Sequence, residues 1–283
     1  MSFFREKATK MLIAYWVHDL SPFLWELAPG VGVRWYGLAY VAGFVLAYLL
    51  FKRWVRQGWL PLDGRQVGDF LTWVVMGTVV GGRLGYCFFY AGGKWMVDPL
   101  YVLRVWEGGM ASHGGIMGLL LVVWIFSRKH KVDGWRLGDA VAVAAPWGVV
   151  LGRMANFING ELWGRPSSVP WAVIFPASVD MLPRHPYQIY AALFEGAAVG
   201  VLAIFLKRFF MMEGSSGVVM GGVILVYSVM RICTEFFREP DGGRYWWLGL
   251  TEGQWLSVVF AMVGVVVIFS RTKNANVRDA KQS

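Results

Sequence analysis

Seven apolar segments dominate this chain, at approximately 36–51, 69–91, 110–127, 138–158, 187–206, 217–237 and 253–270. Each can hold a helix of about 20 residues, the length a bilayer core requires. Backbone inside hydrocarbon must satisfy its own polar groups, so such segments are expected to be helical. Composition agrees, with 57% of the 283 residues hydrophobic and 16% charged, where a soluble protein carries roughly 25% charged residues. The expectation is an all-α polytopic membrane protein with seven transmembrane helices, forming a single integral-membrane domain over residues 1–283.

The net charge of +9 does not point to nucleic acid, because no basic face or recognition motif accompanies it. Membrane proteins concentrate Lys and Arg in cytoplasmic loops. The ends of segments one, three, five and seven on one side hold fourteen Lys and Arg, including Lys52, Arg53, Arg128, Lys129, Lys207 and Arg271, against ten on the other. This bias places the N-terminus outside and the C-terminus inside. Cys87 and Cys233 both fall in apolar segments without CxxC or metal-ligand spacing, so neither a disulfide nor a metal site is expected. The first residues lack an A-x-A cleavage site, and Met11 is a candidate alternative start.

Glycines recur at four-residue spacing within the spans, as in Gly77/Gly81/Gly85, Gly114/Gly118, Gly148/Gly152, Gly196/Gly200 and Gly217/Gly221, a spacing that allows close helix contact. Trp35, Trp95, Trp163, Trp246, Trp247 and Trp255 lie near span ends and read as interfacial anchors. The outer loop at about 159–186 carries "SSVPWAVIFP", a β-branched and aromatic run between prolines that suggests a short strand or hairpin. A small extracytoplasmic cap is expected there.

Of the 27 Lys and Arg, only Arg83, Arg153 and Arg231 fall within spans. Intramembrane ionisable residues are functional candidates, although an Arg–carboxylate pair also serves simply to pin helices. Arg153 and Asn156 share a face near the outer end of segment four, with Glu161 close by. Arg231 and Glu235 are spaced i, i+4 for an ion pair. Tyr36 and His113 open segments one and three from the outside. Glu195 is a candidate partner for an arginine, and Asp139 suits a helix N-terminus. Polar groups from several helices are thus expected at one level near the outer leaflet. A guanidinium-rich pocket at that depth suits a phosphate, and a phospholipid headgroup is the anion available there. An anion or lipid transporter or channel is the competing reading, but a pathway needs polar groups across the whole membrane rather than near one face.

The stretch "GRMANFINGELWGRP" resembles the signature of the phosphatidylglycerol–prolipoprotein diacylglyceryl transferases of the bacterial inner membrane. The stretches "RWYGLAY", "GGRLGYCFFY", "SHGGIMG", "RHPYQIYAALFEG" and "FFREPDGG" resemble family motifs in the same order. The resemblance implies a multi-pass enzyme whose active site faces the extracytoplasmic side. It implies transfer of the diacylglyceryl group of phosphatidylglycerol to the lipobox cysteine of preprolipoproteins, with glycerol phosphate released and no cofactor or metal needed. His113, Arg153 and Arg231 are then the expected catalytic residues, with His113 as base for the thiol. Tyr36, Arg83, Asn156, Glu161, Gly164 and Glu235 are expected to bind substrate or hold these groups in place. Two positions depart from the family pattern: Ala155 stands where the signature has Gly, and Ala191 where it has Glu.

Overall fold

The structure is a computed structural model that describes residues 15–210, 215–240 and 249–279. Met11, Trp246 and Trp247 lie outside the described residues. In chain order, β1 (Trp16–Val17), β2 (Phe23–Ala28) and β3 (Val31–Arg34) precede helices α1 (Trp35–Arg56), α2 (Gly64–Phe89), α3 (Ser112–His130) and α4 (Gly134–Ile158). Strands β4 (Val173–Ile174) and β5 (Pro183–Arg184) follow, and then α5 (Tyr187–Phe210), α6 (Val218–Glu235) and α7 (Glu252–Asp279).

Six of these helices are long and apolar enough to cross a membrane: α1, α2, α4, α5, α6 and the Glu252–Lys273 part of α7. The chain is therefore a largely α-helical, polytopic membrane protein. Helix α3, at 19 residues, is not among the six; it starts at Ser112 and ends on Arg128, Lys129 and His130. Several basic residues expected in loops sit instead in terminal helical turns, such as Arg53 and Arg56 in α1 and Lys207 and Arg208 in α5. Long basic side chains reach the interface from such positions. Large apolar side chains such as Tyr40, Val41, Val45 and Leu49 of α1 are exposed, as a lipid-facing helix requires.

The chain divides into two compact units, residues 48–140 and residues 1–47 with 141–283. In the smaller unit, Asp63 starts α2 with a capping box, accepting from the backbone N–H groups of Arg65 and Gln66 at 2.8 Å while the Gln66 side chain accepts from the Asp63 N–H at 2.9 Å. Asp133 accepts from Trp135 N–H at 2.9 Å at the start of α4. This corrects the expectation for Asp139, which lies fully buried inside α4. Helices α2 and α3 pack antiparallel through glycine. A Cβ on Gly81 would strike the Gly114 carbonyl, and one on Gly118 the Gly77 carbonyl. Phe51, Phe70 and Phe126 pack below them, with ring centroids 5.7 and 5.0 Å apart.

In the larger unit, α6 packs on α7 through Gly221 and Gly264, while Gly196 and Gly200 of α5 face Val150 and Trp147 of α4. Gly148 and Gly152 behave differently, because an added Cβ on either meets nothing within 4 Å. Gly217 is a left-handed residue at the start of α6, with φ of 98°. The segment between α4 and α5 forms a hairpin of β4 and β5, and β1 adds to it in parallel, giving the order β1-β4-β5. His18 follows β1 and is buried against Phe157 and Phe175, with its Nε2 2.7 Å from the Phe157 carbonyl oxygen. Trp163 stacks on Phe175 at 5.9 Å within this cluster.

Glycine at the α2–α3 seam and glycine in open space should respond oppositely to an added methyl. Gly114→Ala is expected to lose at least ~1–3 kcal/mol by overpacking, whereas Gly148→Ala is expected to gain up to ~1 kcal/mol from helix propensity. Thermal unfolding of both variants in one detergent would measure the contrast.

Candidate active site

Arg153 reaches the centre of the larger unit from α4, Glu195 from α5, and Arg231 and Glu235 from the last turns of α6. The carboxylate of Glu195 is fully buried and lies between the two arginines, 3.4 Å from Arg153 Nη2 and 3.2 Å from Arg231 Nη1. Arg231 Nη2 is also 2.8 Å from Glu235 Oε2, and Arg238 Nη1 is 3.3 Å from Glu235 Oε1. Among the described residues, three guanidiniums therefore share two buried carboxylates. Such a concentration of cations in surroundings of low dielectric favours an anion.

Neutral groups complete the arrangement. The buried Tyr187 hydroxyl donates to Glu195 Oε1 at 2.9 Å and accepts from Arg231. Its ring lies under both guanidiniums, 5.6 Å from Arg153 and 5.8 Å from Arg231. Thr234 donates to Glu195, and Thr251 donates to Glu235 at 3.1 Å. A fork held in this way suits a phosphate, because guanidinium donors match its oxygens in pairs.

A second strip of polar groups adjoins Arg153 along α4. Asn156 donates to Glu161 at 2.7 Å, and Asn159 donates to the same oxygen at 3.4 Å. The Tyr36 hydroxyl, at the start of α1, lies beside Asn156 and accepts from Tyr40 at 3.4 Å. Gln188, fully buried, donates to the Glu161 carbonyl at 2.6 Å. These contacts bring together Tyr36, Asn156 and Glu161, three of the positions singled out from sequence.

Gly164 has a different task. A Cβ there would lie 2.5 Å from the Phe237 carbonyl oxygen and 2.7 Å from His185 Cβ, so only glycine fits between these segments. Its N–H donates to the His185 carbonyl, and the adjacent Arg165 N–H donates to Phe237. Arg184 fastens the loop between α4 and α5, with Nη1 donating to the Gly164 carbonyl and to Glu239 and Nη2 donating to Asp180. Burial works against the Asp180 carboxylate, but the Leu182 N–H and the Arg184 guanidinium outweigh it and hold its pKa below the ordinary value. The latch is therefore formed at neutral pH and weakens only as pH falls through that lowered value. Partial burial pushes the His185 imidazole down, so it is neutral at pH 7.

Arg83 and His113 belong to the smaller unit. Arg83 is buried, and its guanidinium donates to five backbone carbonyls: Val102, Gly108, Gly109, Tyr101 and Arg104. An arginine has five N–H donors, so all of them hold the loop that follows α2. His113 is the second residue of α3 and is exposed.

Sequence reasoning anticipated Glu195 as an arginine's partner. It missed Tyr187, Thr234 and Thr251, because a tyrosine or threonine in an apolar span carries no distinctive signal. The available hints were the place of Tyr187 in the stretch "RHPYQIYAALFEG" and the spacing of Thr234 three residues beyond Arg231.

The chain is also similar to known proteins. The family model described as prolipoprotein diacylglyceryl transferase matches residues 22–270. The phosphatidylglycerol–prolipoprotein diacylglyceryl transferase of Rhizobium meliloti (strain 1021) is 42% identical over 266 residues, covering 91% of this chain and 94% of that protein. The transferase of the same name from Azospirillum brasilense is 43% identical over 251 residues, covering 88% and 93%. That of Cupriavidus metallidurans is 39% identical over 266 residues, covering 91% and 96%. With a family match spanning all the positions that build the arginine cluster, the chain belongs to the prolipoprotein diacylglyceryl transferase family.

Proposed function

We propose that this protein is a transferase that moves the diacylglyceryl group of phosphatidylglycerol to the thiol of the lipobox cysteine in preprolipoproteins. The observation that carries this reading is the pair of guanidiniums, Arg153 and Arg231, held on one buried carboxylate within the family-matched region. The cysteine sulfur attacks the glyceryl carbon esterified to phosphate. A carbon–sulfur bond forms as the carbon–oxygen bond breaks, the electron pair leaves with glycerol phosphate, and the thiol proton passes to a base.

Negative charge grows on the phosphate as the bond breaks, and fixed cations favour that charge most when water is excluded. Arg153 and Arg231 supply it, with Glu235 and Arg238 bracing Arg231. Tyr36, Asn156 and Glu161 form the adjoining wall for the glycerol headgroup, and Gly164 keeps the cap seated against it. His113 takes the thiol proton, the role that family resemblance assigns to it. A free thiol has a pKa of about 8.5, so a base assists its attack at neutral pH. Arg83 acts as a positioning residue for the loop after α2, a reading supported by its five carbonyl contacts.

The remaining membrane reading is part of the same proposal. Helix α3 crosses as a seventh span, which places the N-terminus outside and the C-terminus inside a bacterial inner membrane. The chain then forms one integral-membrane domain, and residues 159–186 form an extracytoplasmic cap with the active site on that side. The Lys and Arg in the last turns of α1, α3 and α5 support this orientation. A fluorescent protein fused after residue 283 should then fold and fluoresce in cells; a fusion translocated to the outside and dark would reverse the topology.

Purified protein given phosphatidylglycerol and a lipobox peptide should add a diacylglyceryl mass to the peptide and release glycerol phosphate. The same peptide with serine for cysteine should remain unmodified. Anion transport in liposomes without peptide modification would instead favour a transporter. Arg153→Ala and Arg231→Ala should each lower turnover on the order of 10²-fold or more. His113→Asn should cost about 10²-fold, and a near-normal rate would move the base role to another group, such as the phosphate itself.

A further inference from the structure

Glu195 sits where the helix leaves regular α geometry. Within α5, residues Ala192–Ala198 form a π-helical turn with Glu195 at its centre, preceded by the α-helical turn Tyr187–Ala191. In an uninterrupted α-helix with 3.6 residues per turn, residues eight apart lie about 80° apart around the axis. A π-turn absorbs one extra residue, worth about 100°, and brings positions 187 and 195 to within about 20° of a common face. The Tyr187 hydroxyl accordingly meets Glu195 Oε1 at 2.9 Å. A π-turn gives up regular α-helical hydrogen bonding, and such turns occur often at functional sites. Here the turn has a visible product, the alignment of a carboxylate with a tyrosine.

That alignment lets one carboxylate serve four partners. Oε1 receives Thr234, Tyr187 and Arg231, while Oε2 faces Arg153. Arg153 and Arg231 arrive from different helices and repel each other. Their shared contacts are the Glu195 carboxylate and the Tyr187 ring. We infer that Glu195, aligned with Tyr187 by the π-turn and steadied by Thr234, is a positioning residue that sets the spacing of the two guanidiniums for the transition state rather than for ground-state lipid binding. The inference rests on the transferase reading above and deepens it. The intact phosphodiester carries one negative charge, which guanidiniums attract in any arrangement. The departing phosphate gathers more charge, and only a fork of fixed spacing stabilises that increment; interactions gained in the transition state raise kcat.

The test uses the full-length protein in detergent with phosphatidylglycerol and a lipobox peptide, with kcat and KM for the lipid measured together and normalised to folded protein. Glu195→Gln keeps the shape and an oxygen for Thr234 and Tyr187 but removes the shared charge; kcat is expected to fall at least 10-fold with KM changed less than 3-fold. Glu195→Asp keeps the charge but is one methylene too short to reach both arginines, and its kcat should stay as low as that of Glu195→Gln. Tyr187→Phe and Thr234→Val are smaller changes that keep the protein testable if the Glu195 variants do not fold, and each should lower kcat 3- to 10-fold at constant KM. The positioning role is overturned if Tyr187→Phe and Thr234→Val keep wild-type kcat, if Glu195→Asp restores it, or if the variants raise KM alone. A wild-type protein that transfers nothing to the peptide would instead overturn the transferase reading itself.

Discussion

An arginine within a membrane-spanning segment needs its charge answered without losing the capacity to act on a substrate. In this protein the answer is shared: one buried carboxylate, Glu195, faces both Arg153 and Arg231. Breaking a buried ion pair by removing one partner is strongly destabilising, because the charge left behind is uncompensated. Among the described residues Arg153, Arg231 and Arg238 share Glu195 and Glu235, so each acid answers more than one cation. The surrounding helices α4, α5 and α6 take their places around these pairs, with Gly196 allowing α5 to approach Val150 of α4.

The two units solve the problem of buried cations by different chemistry. Arg153 and Arg231 face carboxylates, whose charge can be tuned by neighbours. Arg83 faces carbonyls, which offer dipoles and no net charge. A guanidinium held by an acid at one nitrogen, as Arg153 is at Nη2, can turn its other N–H groups toward a phosphate. A guanidinium wrapped by five carbonyls has none to turn without unfolding the loop around it. The same residue type is therefore held by acids in one unit and by backbone carbonyls in the other.

Much of this was legible from the order of residues. Long apolar runs indicated helices because hydrocarbon leaves the backbone few other forms, and two of the three arginines stranded inside those runs, Arg153 and Arg231, meet at one carboxylate. Arg231 and Glu235 pair as their four-residue spacing suggested. Other features were hidden for definite physical reasons. A carbonyl belongs to every residue, so nothing in the letters around Arg83 announces that five of them converge on it. The addition of β1 to the β4–β5 hairpin joins residues more than 150 positions apart through backbone hydrogen bonds, which carry no side-chain signature. The π-turn at Ala192–Ala198 shifts the helical phase by one residue, so a strict 3.6-residue reading places Tyr187 and Glu195 on different faces. Gly148 and Gly152 share the spacing of the packing glycines, yet a Cβ added to either would meet nothing within 4 Å, because spacing records which residues share a face and not how closely a neighbour approaches it.

The Arg83 contacts make the shape of a loop depend on one side chain rooted in a helix. The segment from Tyr101 to Gly109 has only short 3-10 turns of its own, at Pro99–Leu103 and Val105–Glu107. Its carbonyls point inward to a common centre instead of outward to solvent. Lysine in that place would offer three donors from a single nitrogen rather than five spread over a planar fork, and at least two carbonyls would lose their partner. The loop is thus less a connection between α2 and α3 than an extension of α2's own rigidity. Its form is stored in a residue that lies outside it, so variation along the loop's sequence can change its outer surface without changing its path.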